Sequence, residues 1–463
     1  MSRADVAFAD ELSPDLIPPR PLRHHLALTV YWLSNTLLWG ALLHLGIQSR
    51  LSDWFGETEK GYRFALIGLV GGIVGTAAQI VIGAFSDRSL CRWGRRRVFV
   101  ALGTTLAVGA LLLLGAAKSF WPFLGALILL QLFTNTALAP FTALLPDTVN
   151  PREHGKASGF MGVARFLGDT GGQILSGLLL HAGIRTGAEK LAFHDARIFV
   201  MCAIMAAFML FTTLVTCVTI KEHRLRRRPE ATTWQIIIGS FAVDITGNVD
   251  FFWLSLSRAV TNVGFYMFLA VMPFFVADSL GIAAFEHATM LLMLPGIAAA
   301  AISSVLTGAV SDRIGRRRLI FVAQFIMAGS ALGFALTPNL KVAYAAVIPG
   351  GMAYGIFTAV EWALACNLLP AGEAGRYLGV WNASAVVPQI IGISGGGALG
   401  SEMAKRHPGV GLGWRVDFVV VLVCCLVGAY FLKFVRERRY APAPAEPQPA
   451  PEVGGSVASN HER

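Results

Sequence analysis

Residues 83–97 read GAFSDRSLCRWGRRR, and residues 308–318 read GAVSDRIGRRR. Each phrase follows a long apolar run and gives a glycine, a Ser-Asp-Arg triplet, a second glycine and three arginines. The first glycines stand 225 residues apart, and the first copy carries SLCRW where the second has a single isoleucine. One phrase, written twice at the same place after an apolar run, implies a chain built by internal duplication.

Working outward, the 463 residues are 55% hydrophobic and only 14% charged, with a mean hydropathy of +0.60. A soluble domain carries about 25% charged residues. Apolar stretches of about 20 residues recur along the whole length, each long enough to cross a hydrocarbon layer of about 30 Å as a helix. The reading predicts spans at 26–46, 62–85, 98–117, 120–144, 157–181, 198–220, 250–276, 286–310, 319–337, 341–366, 376–400 and 414–435. Twelve spans make an all-α polytopic membrane protein. The expected organisation is a cytoplasmic segment 1–25, a six-helix bundle 26–220, a basic cytoplasmic linker 221–249, a second bundle 250–436, and a cytoplasmic Pro/Ala-rich tail 437–463 expected to be disordered. Residues 1–25 mix acids with prolines and hold no apolar core, so they do not read as a cleaved signal peptide.

A net charge of +10 could suggest nucleic acid, but its distribution points elsewhere. Counting Lys and Arg by expected side gives 24 on one face and 11 on the other. That asymmetry is the positive-inside bias, and it predicts both termini and both Ser-Asp-Arg loops in the cytoplasm of a cell (inner) membrane, with lipid and a small solute as partners and no nucleic acid. The six cysteines lie in or beside spans without ligand-like spacing, and read as small apolar residues.

The duplication is wider than one loop. LLPDTVNPREHGKASGF from Leu144 and LLPAGEAGRYLGV from Leu368 share Leu-Leu-Pro and a Gly-Lys/Arg-x-x-Gly pattern, and Asn35 and Asn262 fall alike in the first and seventh spans. The loop formed by Gly83, Asp87, Arg88, Gly94 and Arg95, repeated as Gly308, Asp312, Arg313, Gly315 and Arg316, resembles the signature of the major facilitator superfamily. LWGALLHLGIQSRL from Leu38, SDRSLCRWGRRR and LLPDTVNPREHGKASG most resemble its branch of sucrose/proton symporters, related to the glycoside-pentoside-hexuronide:cation symporters. The resemblance implies two pseudo-symmetric six-helix bundles that alternate access by rocking. It also implies that the loop aspartate pairs with a loop arginine and a neighbouring helix N-terminus when the transporter faces outward, and that breaking the pair frees the inward-facing state. Arg96, Arg97, Arg317 and Arg318 read first as orientation charges.

In the fifth span Arg165, Asp169 and Gln173 recur at i, i+4 and i+8, one polar stripe on a small apolar helix. Asp169 falls roughly 18 Å along that helix, near mid-membrane, where charges are costly and functional by default. The stripe is expected to line the cavity, against the alternative of a self-neutralising Arg165-Asp169 pair. Glu361 in the tenth span lies about 9 Å from the cytoplasmic end; it reads either as a proton-loading carboxylate or as a static partner for Arg258. Further candidates are Asn35, Gln131, Asn135, Asn262, Tyr266, Asn382 and Gln389, with Trp39, Trp362 and Trp381 as aromatic faces for a sugar ring. The third and twelfth spans are nearly featureless and are expected to face lipid.

These features suggest a cation-coupled sugar symporter acting as a monomer, with no cofactor and H+ as coupling ion. The competing reading is an exporter of amphipathic compounds or metabolites, suggested by GDTGGQILSG from Gly168. No phosphate loop, nucleophile motif or loop long enough for a catalytic domain is visible, so an enzyme is not expected.

Overall fold

A computed structural model describes residues 21–87, 89–91, 93–149, 154–181, 187–220, 222, 248–337, 339–368, 374–407 and 412–436. Among them are twelve helices: α1 (Leu22–Trp54), α2 (Glu57–Asp87), α3 (Arg97–Ala116), α4 (Phe120–Thr148), α5 (His154–Leu179), α6 (Gly187–Thr219), α7 (Val249–Ser279), α8 (Phe285–Ile314), α9 (Arg316–Leu336), α10 (Leu340–Leu368), α11 (Ala374–Arg406) and α12 (Arg415–Leu432). A π-turn over Leu42–Gly46 interrupts α1, and another over Phe275–Ser279 ends α7. Eleven of the twelve are long and apolar enough to cross a membrane; the exception, α5, is glycine-rich and carries Arg165 and Asp169.

The packing scheme repeats. In the first half α1 packs on α5 and α6, α4 on α2 and α3, and α3 on α6; in the second, α7 packs on α11 and α12, α10 on α8 and α9, and α9 on α12. Adding six to each helix number turns one set into the other. The two seams between halves, α2 with α11 and α5 with α8, exchange under the same operation. The fold is therefore two pseudo-symmetric six-helix bundles.

The face where α1 begins is called proximal here, and its opposite distal. On the proximal face the arginines that follow the second glycine of each phrase hold to their own half. Gly94 and Gly315, the second glycines of the two phrases, have φ of 118° and 99°, a region where a Cβ is strained; hence glycine recurs there. Past Gly94, Arg95 and Arg96 both reach Asp147 at the end of α4, at 2.5 and 3.0 Å, and Arg96 donates to Ser86 Oγ at 2.8 Å. Glu222 accepts from the backbone amides of Arg96 and Arg97. Arg316 donates to the Ala363 carbonyl, and Arg317 to that of Lys433. Arg96, Arg97 and Arg317 therefore do more than orient the chain: they tie helix ends together.

Hydrogen bonds, ion pairs and ring contacts that join the halves gather at the distal face. Lys60 meets Asp278 at 2.6 Å, Tyr62 donates to Glu402, Ser49 donates to Glu286 at 3.0 Å, and the rings of Phe64 and Phe274 pack edge to face. The α2–α11 seam starts there with backbone contact of Gly61 on Gly397 and runs inward through Gly68 on Ile393 to Gly72 on Ile390. Beyond it, Gly75 and Gly83 of α2 neighbour α4 instead. Among the described residues, the halves are thus sealed distally and part toward the proximal face.

Candidate functional site

In a membrane, helices approach through small residues rather than by hydrophobic exclusion. Gly168 and Gly172 of α5 lie on the backbone of α1, and Gly40 of α1 lies on the backbone of Asp169. Gly168 and Gly172 of GDTGGQILSG serve this close crossing, which sets the polar positions of α5 against α1, while Gly177 of the same phrase meets Met290 of α8. His44, in the π-turn of α1, points its Nε2 at Asp169 Oδ1 across 3.7 Å; such turns recur at functional sites.

These residues open onto a cavity of about 190 Å³ between the halves. Its first-half wall holds His44, Phe166, Asp169, Thr170 and Gln173. The second-half wall is mainly apolar, with Phe265, Phe268, Met293, Ile297, Met327 and the ring of Tyr354. Phe265 and Tyr354 stack face to face with centres 3.6 Å apart, closing α7 against α10.

Behind this wall lies the charged pair of the second half. Arg258 Nε stands 3.2 Å from Glu361 Oε1, its guanidinium carbon sits 3.9 Å from the ring centre of Trp381, and its Nη1 donates to the Trp381 carbonyl at 3.3 Å. Glu361 Oε2 is buried without a hydrogen-bond partner among the described residues. Tyr266 lies within electrostatic reach of Arg165, Asp169, Arg258 and Glu361, and Tyr354 of Arg165, Asp169 and Glu361. The two tyrosines thus stand between the charges of α5 and those of α7 and α10.

Of the residues singled out in the sequence, the structure brings together Asp169, Gln173, Tyr266, Glu361 and Trp381. Asp169 is about half exposed, with a side-chain exposure of 51%, whereas Gln173 is buried and Arg165 exposed. No Arg165-Asp169 ion pair forms among the described residues; Asp169 turns to His44. The Glu361-Arg258 pairing, one of the two readings of that carboxylate, is present. Asn35 and Asn262 are buried, Asn262 donating to the Ser384 carbonyl at 3.4 Å. Asn135 donates to the carbonyl and the side-chain oxygen of Gln131 on its own helix. Trp39 packs on the apolar core, and Gln389 is partly buried. Arg88 and the side chains of Asp87, Asp312, Arg313 and Asn382 lie outside the described residues, and with them the proposed gating pairs. His44 and Tyr354 were not singled out; a histidine inside the apolar run LLHLG was the one visible signal for the first. No group of His, Cys, Asp and Glu placed to hold a metal occurs among the described residues.

The sequence pattern of the Major Facilitator Superfamily matches residues 25–393 and, overlapping them, 254–460. The chain is similar to a general alpha-glucoside permease of Schizosaccharomyces pombe, 24% identical over 290 residues that make up 59% of this chain and 50% of the permease. It is also similar to a chloramphenicol resistance protein of Streptomyces lividans, 34% identical over 94 residues, 20% of this chain and 22% of that protein. The matches thus span half of the first relative and about a fifth of the second. Among solved structures, a bacterial homolog of the human lysosomal transporter Spinster superposes with a TM-score of 0.69 at 18% identity, over 90% of this chain and 97% of that one. A D-xylose-proton symporter superposes with a TM-score of 0.69 at 16% identity, over 90% and 98%. Both show likeness of fold.

Proposed function

The chain belongs to the Major Facilitator Superfamily, a family of transporters rather than enzymes, and from that premise we propose that it carries a sugar or glycoside across the cytoplasmic membrane together with a proton, by alternating access. The observation that carries the proposal is the pair of Arg258 with the buried Glu361, beside the two tyrosines and with one carboxylate oxygen unpartnered among the described residues. A carboxylate held by one arginine in a low-dielectric setting exchanges a proton for that arginine's attraction. The half-exposed Asp169 and the hydrogen-bonding side chains around it supply the polar side of a solute site, and the aromatic wall supplies a face for a sugar ring. The relation to a glucoside permease supports the substrate class.

In this reading the proximal face is cytoplasmic, as the distribution of Lys and Arg favours; the conformation described is open to the inside, and the Asp87 and Asp312 loops latch the opposite state. Uptake by proteoliposomes under an imposed inward proton gradient tests it. Accumulation of a glycoside that collapses with a protonophore supports symport; depletion under the same gradient overturns it in favour of export.

Export of amphipathic compounds is the second reading. Its specific support is the apolar second-half wall of the cavity, with the short match to a chloramphenicol resistance protein beside it. A solute panel screened by thermal shift separates the two, since a ligand that binds only the native state raises the melting temperature.

A further inference from the structure

The distal seam holds a buried charged cluster that the transport site does not use. His194 of α6 is fully buried, with Nδ1 2.7 Å from Asp53 Oδ2 of α1 and Nε2 3.0 Å from the carbonyl oxygen of Leu180, just past α5. Both neighbours are pure acceptors. An imidazole donates to two acceptors at once only when both ring nitrogens carry hydrogen, that is, as the cation.

Facing the same Nε2 across the seam, at 3.7 Å, is Oε1 of Glu286 from α8 of the other half, itself fully buried. Glu286 also accepts from Ser49 of α1 and lies 3.9 Å from Lys190 of α6. Nearby, Arg50 of α1 is paired with Asp195 of α6, and His181 stacks on His287 with ring centres 4.8 Å apart. With His194 cationic, the three positive groups Arg50, Lys190 and His194 balance the three carboxylates Asp53, Asp195 and Glu286. With His194 neutral and the three carboxylates ionised, one negative charge of the cluster is left over and one of the histidine's two hydrogen bonds is lost, each costly at a buried site.

We propose that His194 is a proton-operated latch between the halves: as the cation it ties α1, α5 and α6 to Glu286 of α8 and holds the distal face shut, and on giving its proton to water entering the cleft it lets Glu286 go. The latch rests on the alternating-access reading above. It responds to pH on the distal side, a role separate from the proton route through Glu361. The sign follows from linkage: the closed state binds the extra proton, so closure is favoured at low pH and weakens as pH rises.

The test uses the full chain in lipid nanodiscs, its native cysteines replaced, with spin labels on Gly56→Cys and Ala283→Cys. Both sites are exposed on the distal face, one on each half, and a Cβ at Gly56 meets nothing. Between about pH 5.5 and about pH 8.5, spanning the range where histidine titrates, the long-distance population gains about tenfold over the short one. His194→Gln removes that pH response, and Glu286→Gln, which keeps the histidine but deletes its partner's charge, removes most of it; the second variant stands in if the first does not fold. A His194→Gln chain that responds to pH as the parent does overturns the latch. So does a parent that ignores pH although Gly61→Leu, which wedges the α2–α11 seam, opens the distance. If neither pH nor the wedge changes the distance, alternating access itself fails and the latch with it.

Discussion

Arg258 of α7 and Glu361 of α10 face each other at 3.2 Å beneath Trp381, and the pair leaves Glu361 Oε2 buried and, among the described residues, unpartnered. One carboxylate oxygen is held by the cation, and in the proposed mechanism the other takes the proton. Protonation therefore acts directly on the tie between α7 and α10. Glu361→Gln keeps the shape and removes the exchangeable proton. Proton-driven accumulation in proteoliposomes is expected to fall by about tenfold or more, while solute exchange at equal pH on both sides persists.

Removing the other partner has a different signature. Arg258→Ala leaves a buried carboxylate without its cation, and breaking such a pair costs about 3–5 kcal/mol. The melting temperature in detergent is expected to drop clearly. The double variant Arg258→Met/Glu361→Met is expected to recover most of that loss, because neither charge then remains to be neutralised.

Asp169 faces the cavity with half its side chain exposed and, among the described residues, His44 as its ion-pair partner. Asp169→Asn is expected to leave the melting temperature within the range of ordinary surface changes, about 0.5 kcal/mol. Solute affinity, read by thermal shift or by tracer binding, falls about tenfold. Equal loss of stability and affinity would show Asp169 to be a structural residue.

The proximal loops give a paired test of the duplication. Gly94→Ala and Gly315→Ala each force a Cβ into positive φ, at a cost of about 1–2 kcal/mol. In Gly94→Ala the new Cβ also meets the Glu222 carboxylate, which adds to that cost. Asp147→Asn, which weakens the hold on Arg95 and Arg96, is expected to cost about 1–3 kcal/mol, measured by thermal unfolding.

Much of the architecture was legible because the repeated Ser-Asp-Arg phrase and twelve apolar runs are local signals. Where the helices end was not. α1 continues to Trp54 rather than stopping near residue 46, and α6 begins at Gly187 rather than 198. The additional turns carry Arg50, Asp53, Lys190, His194 and Asp195, which in sequence read as the polar end of a span. In the fold they neutralise one another across α1 and α6, so the helices run on into a buried seam. Partners such as His194 and Asp53 lie 141 residues apart, a distance no spacing rule bridges. Glu361 and Arg258 were legible as costly charges in apolar runs. The role of Asp169 toward His44, rather than Arg165, depends on the crossing of α1 and α5.

At the α2–α11 crossing, Gly61 and Gly397 meet backbone to backbone with no side chain between them. Beside that contact the Ser401 hydroxyl and the Trp414 ring close on Gly61, so the two backbones touch with larger side chains only at their flank. Under the proposed alternating access, a small angular slip at this closely packed sealed end would become a wide aperture at the far mouth.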